Sequence, residues 1–219
     1  MQTSRAVATR QKILDSAIEL FSNLGYANVG LNQITEHAQV TTGAFYHYFR
    51  DKEAVALAIR DLSWTKVADS FTSTLNSRTP GLERVITATF AMSDLMMNDP
   101  LVLLGHRLNQ IVGLRTDEQL TGYAQRAQSF IDAASTALRP NDIRDGLSGS
   151  DVGSLAWVLL NGSHMLSVAM SDDVFARMAH GWLVLLHGIA PPESLAYFEQ
   201  FVIRTADQYG CGEDLKPVR

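Results

Sequence analysis

One cysteine in 219 residues, Cys211, excludes a disulfide within the chain, and a lone thiol agrees with a reducing compartment. Nowhere do eighteen apolar residues run together, which argues against a membrane span. The opening stretch MQTSRAVATRQKILDSAIEL carries charges where a secretory leader needs an apolar core, so a cytoplasmic protein is expected. The devices of common chemistry are missing too: no H-E-x-x-H, no G-x-S-x-G, no Walker loop and no dinucleotide fingerprint occurs. His106, His164, His180 and His187 are scattered without close Asp, Glu or Cys partners. Neither a metal nor a cofactor is therefore expected, and an enzyme has little support. Strand-like alternation, internal repeats and low-complexity tracts are absent as well.

What is present is helical pattern. Ile13, Ala17, Leu20, Phe21 and Leu24 recur at the spacing of one apolar helix face over residues 10–24, and Gly25 follows where a helix end favours positive φ. Short helices fit 32–39 and 42–48, and a long one starts near Asp51 with Val55, Ala58, Ile59 and Leu62 on one stripe. After the Pro-Gly loop NSRTPG (76–81), helices are expected at roughly 82–98, 100–110, 117–139, 150–171, 174–188 and 193–209. The spacing predicts an all-α protein of nine or ten helices. It divides into an N-terminal helix-turn-helix unit, 1–50, and a larger helical domain, 51–219.

Charge supports that division. The net charge is −5, yet residues 1–62 hold six Lys/Arg against six Asp/Glu, so the acidic excess lies wholly downstream. Arg5, Arg10 and Lys12 precede the first acid, Asp15, and make a locally positive arm suited to a polyanion.

The stretch QVTTGAFYHYFRDKEA (39–54) crowds four aromatic rings behind Thr-Thr-Gly. A helix, a short turn and a second short helix is the geometry that sets a helix into the DNA major groove. Thr41 suits the N-cap of that second helix. Gly43 and Ala44 leave its front nearly bare, so backbone can approach DNA and Ala44 can meet a thymine methyl. Thr41 and Thr42 can bond phosphate or a base edge, and Tyr46, His47 and Tyr48 carry polar tips that reach phosphates. Lys52 adds a cation at the next helix start. Phe45 and Phe49, four apart and fully apolar, belong to the core.

The segment ILDSAIELFSNLGYANVGLNQITEHAQVTTGAFYHYFRDKEAVALAI resembles the DNA-binding unit of tetracycline-repressor (TetR) family regulators over about forty-seven residues. The resemblance implies a three-helix reader on an all-helical ligand-binding and dimerisation domain. It also implies DNA contact at Asn32, Thr41, Thr42, Gly43, Tyr46, Tyr48 and Lys52. Two positions depart from the family pattern: Gly30 stands where a capping Ser or Thr is common, and Thr42 where Lys or Arg is common. Recognition therefore has few cations, and its salt dependence is expected to be shallow.

Downstream, SLAWVLLNGSHMLSVAM (154–170) and VFARMAHGWLVLLHGIA are apolar on almost every side, as buried or subunit-facing helices are. Two such helices per subunit would make a four-helix seam. A homodimer then matches a pseudo-palindromic DNA operator. For a small-molecule effector, Phe90, Met96, Leu104, Arg107, Leu108, Ile111, Tyr123, Phe130, Trp157, Asn161 and His164 are the candidates, although apolar residues of this kind also fill ordinary cores. GHRLN, DEQLTGY and MAHGWLVLLHGIAPPESL look similar to the γ-butyrolactone receptor branch of the family, which implies repression relieved by a butyrolactone-like signal. The ligand-stacking Trp that many of those receptors carry after the Tyr123 position is missing from YAQRAQSF. Trp157 could supply a ring from another helix or serve an interface. A ligand-independent repressor or a helical protein-interaction adaptor are the alternatives.

Overall fold

The computed structural model describes residues 2–75, 81–112 and 116–211, and no strand occurs among them. Ten α-helices follow in order: α1 Gln2–Leu24, α2 Leu31–His37, α3 Thr42–Tyr48, α4 Lys52–Leu75, α5 Gly81–Asn98, α6 Pro100–Val112, α7 Asp117–Ala137, α8 Gly149–Met170, α9 Val174–Ile189 and α10 Leu195–Asp207. Short 3-10 turns cover Tyr26–Asn28 and Pro140–Asp142. The all-α expectation holds. The largest shift is at α1, which starts eight residues earlier than its apolar stripe, because residues 2–9 contain no Gly or Pro to stop a helix. The expected loop residues 76–80, part of the GLRTD break (113–115) and the Arg5 side chain lie outside the described residues.

Two compact units emerge: Met1–Val67 with Leu95–Leu120, and Ala68–Asp94 with Thr121–Arg219. In the first, Ile13, Leu14, Ala17 and Phe21 of α1 are buried with Ile34, Phe45, Phe49, Val55 and Ile59, and with Leu104, Leu108 and Val112 of α6. Full burial of a side chain such as Phe45 contributes roughly 1.5–3 kcal/mol. Gly25 ends α1 at φ 81°, the left-handed conformation that glycine adopts without steric cost. Gly105 lets α6 approach α4, since a Cβ there would lie 1.9 Å from the Ser63 Oγ.

Asp99 starts α6. Its Oδ1 accepts from the Leu101 and Val102 amides, both at 3.1 Å, and its Oδ2 accepts from the Lys66 ammonium of α4 at 2.5 Å. Pro100 occupies the first helical position, where its missing N–H costs nothing.

In the second unit, α9 packs chiefly on α8 and α10. Ser148 and Asp151 cap α8 reciprocally: the Ser148 amide donates to Asp151 Oδ2 at 2.8 Å and the Asp151 amide to Ser148 Oγ at 3.2 Å. Asp173 caps α9 as its sequence position implies, accepting from the Phe175 and Ala176 amides. Trp182 is fully buried, and its Nε1 donates to Thr89 Oγ1 at 2.9 Å. Phe90, Phe175 and Tyr209 stack together and hold the end of α10. The Cys211 thiol donates to the Ala206 carbonyl. Burial, with Asp173 and Asp207 nearby, pushes it up to about 11, which keeps it protonated and unreactive. By length and composition α8 could cross a membrane. One of its faces is buried in the bundle and the other exposes Leu155, Val158, Met165 and Leu166.

Asp99 carries the first testable consequence. Burial raises its pKa, but the bonds from Lys66 and the two amides outweigh this and leave it below the usual range. A depressed folded-state pKa contributes stability above the unfolded value, near pH 4, and loses it as pH falls through the folded one. Asp99→Ala is expected to cost about 1–2 kcal/mol at neutral pH. In thermal unfolding followed by circular dichroism, the gap to wild type should narrow below about pH 4.

Candidate nucleic-acid interface

The Phe45 and Phe49 rings, 6.0 Å apart, are both buried in the first unit's core. They rotate α3 so that its remaining residues face out. Thr41 Oγ1 accepts from the Ala44 amide at 3.1 Å and caps the helix. Thr41, Thr42, Gly43, Tyr46 and His47 are exposed, and Ala44 is half-buried. Tyr46 is 57% exposed, its ring edge-on to Phe45. Tyr48 instead packs partly against the core, with the His47 ring perpendicular to it. A Cβ on Gly43 would meet nothing nearer than the Thr41 Oγ1 at 4.0 Å, so the helix front is open.

On α2, Asn32 is exposed while Ile34 and Thr35 are buried. Gly30 leaves the N-cap without a side chain, and Gln33 compensates: its Oε1 accepts from the Gly30 amide at 2.7 Å. The link to α3 turns at Gln39, which holds φ 52°, a left-handed conformation that costs a non-glycine residue about 1 kcal/mol or more. Nothing in the local spacing marks that strain.

Lys52 sits differently from a free surface cation. Its ammonium donates to the Tyr26 and Val29 carbonyls at 2.9 and 2.8 Å and lies 4.2 Å from the Tyr26 ring centre. It therefore ties the α1–α2 connection to the first turn of α4. Arg10 lies over the Phe49 ring at 5.2 Å, bringing one cation of the positive arm to the end of α3.

Residues 13–59 match the family model described as bacterial regulatory proteins, tetR family. That segment of the chain is a TetR-family DNA-binding unit by this match. The chain is 43% identical over 58 residues to the A-factor receptor protein of Streptomyces griseus, covering 26% of this chain and 21% of that receptor. The first curated relatives are matched over only about a fifth to a third of their own length. Solved structures extend the likeness. A γ-butyrolactone receptor (ArpA-like protein) superposes at TM-score 0.65 with 25% identity, covering 93% of this chain and 99% of that one. The TetR family protein CprB of Streptomyces coelicolor A3(2) does so at 0.65 and 26%, covering 91% and 98%. A further structure holds CprB with its biological operator sequence.

The candidate effector residues fall into separate places. In the first unit Leu104 and Leu108 are core residues packed with Ile13 and Phe45, Met96 is half-buried, and Arg107 and Ile111 are exposed. In the second unit Trp157 lies 5.9 Å from the Tyr123 ring and 5.2 Å from the Phe130 ring, and Phe130 stacks on Phe71 of α4 at 4.2 Å. Trp157 is 7% exposed, so its ring lies inside the subunit. The Asn161 side chain donates to the Trp157 carbonyl. His164, buried, pairs its Nε2 with the Ser93 Oγ at 3.1 Å. Phe90 belongs to the Phe175–Tyr209 stack. Phe71 and Ser93 escaped the sequence reading, since neither carries a motif and only packing makes them neighbours of Phe130 and His164. Among the described residues no group of three or more His, Cys, Asp or Glu could hold a metal.

Lys52→Met should lower thermal stability by about 2 kcal/mol and speed amide exchange at Tyr26–Val29, because two carbonyls lose a charged donor. Unchanged melting combined with weakened DNA binding would instead mark Lys52 as a direct phosphate contact.

Proposed function

We propose that this chain is a ligand-responsive transcription regulator acting in the cytoplasm: a homodimeric repressor released from a pseudo-palindromic operator by a small hydrophobic or amphipathic molecule related to γ-butyrolactones. The observation that carries the DNA reading is the division of α3. Phe45 and Phe49 are buried, while Thr41, Thr42, Gly43, Tyr46 and His47 form a continuous exposed edge with Asn32 nearby in sequence on α2. That edge is polar, small at its front and anchored to a rigid core, as groove entry requires. Tyr48 and Lys52 stand behind it and hold it in place. The proposed division of labour gives DNA contact to residues 1–50 and effector binding and dimerisation to 51–219.

Dimerisation is supported by the outer face of α8. Val158 and Met165 are 65% and 66% exposed, and Leu155, Leu166 and Val184 of α9 are exposed as well. An apolar face of this kind calls for a partner, and two helices from each subunit make a four-helix seam. Effector binding is supported by the ring cluster of Phe71, Tyr123, Phe130 and Trp157, with Trp157 supplying the indole that YAQRAQSF lacks. Relatives named a γ-butyrolactone receptor and an A-factor receptor point to the same ligand class. Each of these relatives is named as a receptor, not as an enzyme.

The test is a gel shift on DNA upstream of its own gene. Wild type should retard that fragment, and Tyr46→Ala should weaken binding roughly tenfold with unchanged melting, as the loss of one or two phosphate hydrogen bonds implies. Val158→Asp, by placing a charge in the seam, should give monomers on analytical ultracentrifugation and abolish the shift. An adaptor would retard no fragment, and a ligand-independent repressor would stay bound in every cell extract.

A further inference from the structure

From Ile13 to Phe49 the sequence contains no Lys or Arg. Both DNA-facing helices, α2 and α3, fall inside that interval, so neither presents a permanent positive charge. Lys12, just before the interval, is exposed on α1, whereas the two cations just after it are engaged within the chain. The Lys52 ammonium is held by two backbone carbonyls, and the Arg50 Nε lies 3.2 Å from the Asp51 carboxylate. The groups within the interval that can become positive are His37 and His47. His37 sits on α2, with its Nε2 3.6 Å from the Glu19 carboxylate of α1. His47 lies on the exposed edge of α3, between Tyr46 and Tyr48, and among the described residues it has no hydrogen-bond or ion-pair partner.

We propose that His47 meets the DNA backbone as an imidazolium, so that each copy of the chain takes up a proton when it binds its operator. The proposal rests on the DNA-binding reading above. Its physics is direct. A phosphate brought against an exposed imidazole favours the charged form, and histidine is the side chain whose ordinary titration range lies nearest neutrality. The neighbouring side chains carry both signs of charge. The elements that share the α3 core carry Arg10, Lys12, Asp15 and Glu19 on α1, Glu36 and His37 on α2, and Lys52 and Glu53 on α4. Arg10 is over the Phe49 ring, and Arg50 and Asp51 follow α3 as a pair. Arg10, Lys12, Arg50 and Lys52 stand against Asp15, Glu19, Glu36, Asp51 and Glu53, one acid in excess, so a proton on His47 offsets that excess. In its neutral form the same ring can still accept or donate one hydrogen bond, but it loses the charge-assisted contact.

The sign follows from linkage. A contact made by the charged ring is strongest in acid and is lost as pH rises through the range in which histidine ordinarily gives up its proton. The window is about pH 6 to 8.

The probe is a duplex selected by the full-length wild-type chain from a random-sequence pool at about pH 6, with affinity measured by fluorescence anisotropy across that window. Wild type should bind about tenfold more weakly per copy at the alkaline end. His47→Gln should be weak and flat with pH, and His47→Arg tight and flat, its salt slope steeper by about one phosphate per copy than that of alkaline wild type. His37→Gln should keep the wild-type profile. A flat wild-type profile, or a His47→Gln profile that keeps its slope, overturns the proposal and leaves the DNA-binding reading standing. Failure of wild type to select any duplex at any pH overturns both. Rescue of affinity by His47→Arg separates loss of charge from loss of fold.

Discussion

The buried pair Phe45 and Phe49 is the constraint on which the first unit depends. A seven-residue helix is too short to be stable alone, and α3 exists because its two phenylalanines close the core built by α1, α2, α4 and α6. Once those rings are inside, helical geometry leaves no freedom about which residues face out. Thr41 caps, Thr42 and Gly43 form the bare front, and Tyr46 and His47 take the open side. The same core draws in Leu104 and Leu108, so α6 is a structural member of the first unit.

Charge is used sparingly in this unit. Cations that would ordinarily be assigned to phosphate hold other parts in place: Lys52 fastens the α1–α2 turn, and Lys66 pins the start of α6 through Asp99. Lys52 satisfies carbonyls of the α1–α2 connection, and Lys66 pairs with the carboxylate that caps α6. The surface left to meet a polyanion is hydroxyl, imidazole and backbone. The proposed DNA contact through this surface rests on close approach and on protonation more than on long-range attraction, because Lys and Arg are absent between Ile13 and Phe49.

The second unit solves a different problem. Its longest apolar helix, α8, buries Trp157, Leu160 and His164 on one face and leaves Val158 and Met165 on the other. The inward face meets rings from α4 and α7. The outward face is apolar without a partner inside the subunit. The ring cluster within and the apolar face without carry the proposed sensing and pairing roles, and α8 takes part in both.

The sequence by itself determined the helix content, the span of α3 at 42–48, the Thr41 cap, the Gly25 stop and the inward pair Phe45 and Phe49. These are local: spacing, capping chemistry and backbone tolerance act over a few residues. It also carried the TetR pattern that comparison with known proteins bore out. Only the tertiary structure decided that Lys52 bonds carbonyls 23 and 26 positions away, and that Leu104 and Leu108 join the first core. Only tertiary structure, too, put Trp157 inside against Tyr123 and Phe130, and set Gln39 at positive φ. A long side chain such as lysine, or a ring on a helix apolar on most faces, has several energetically equal destinations when read along the chain. Packing from distant elements selects one of them, and no periodicity in the sequence records that choice.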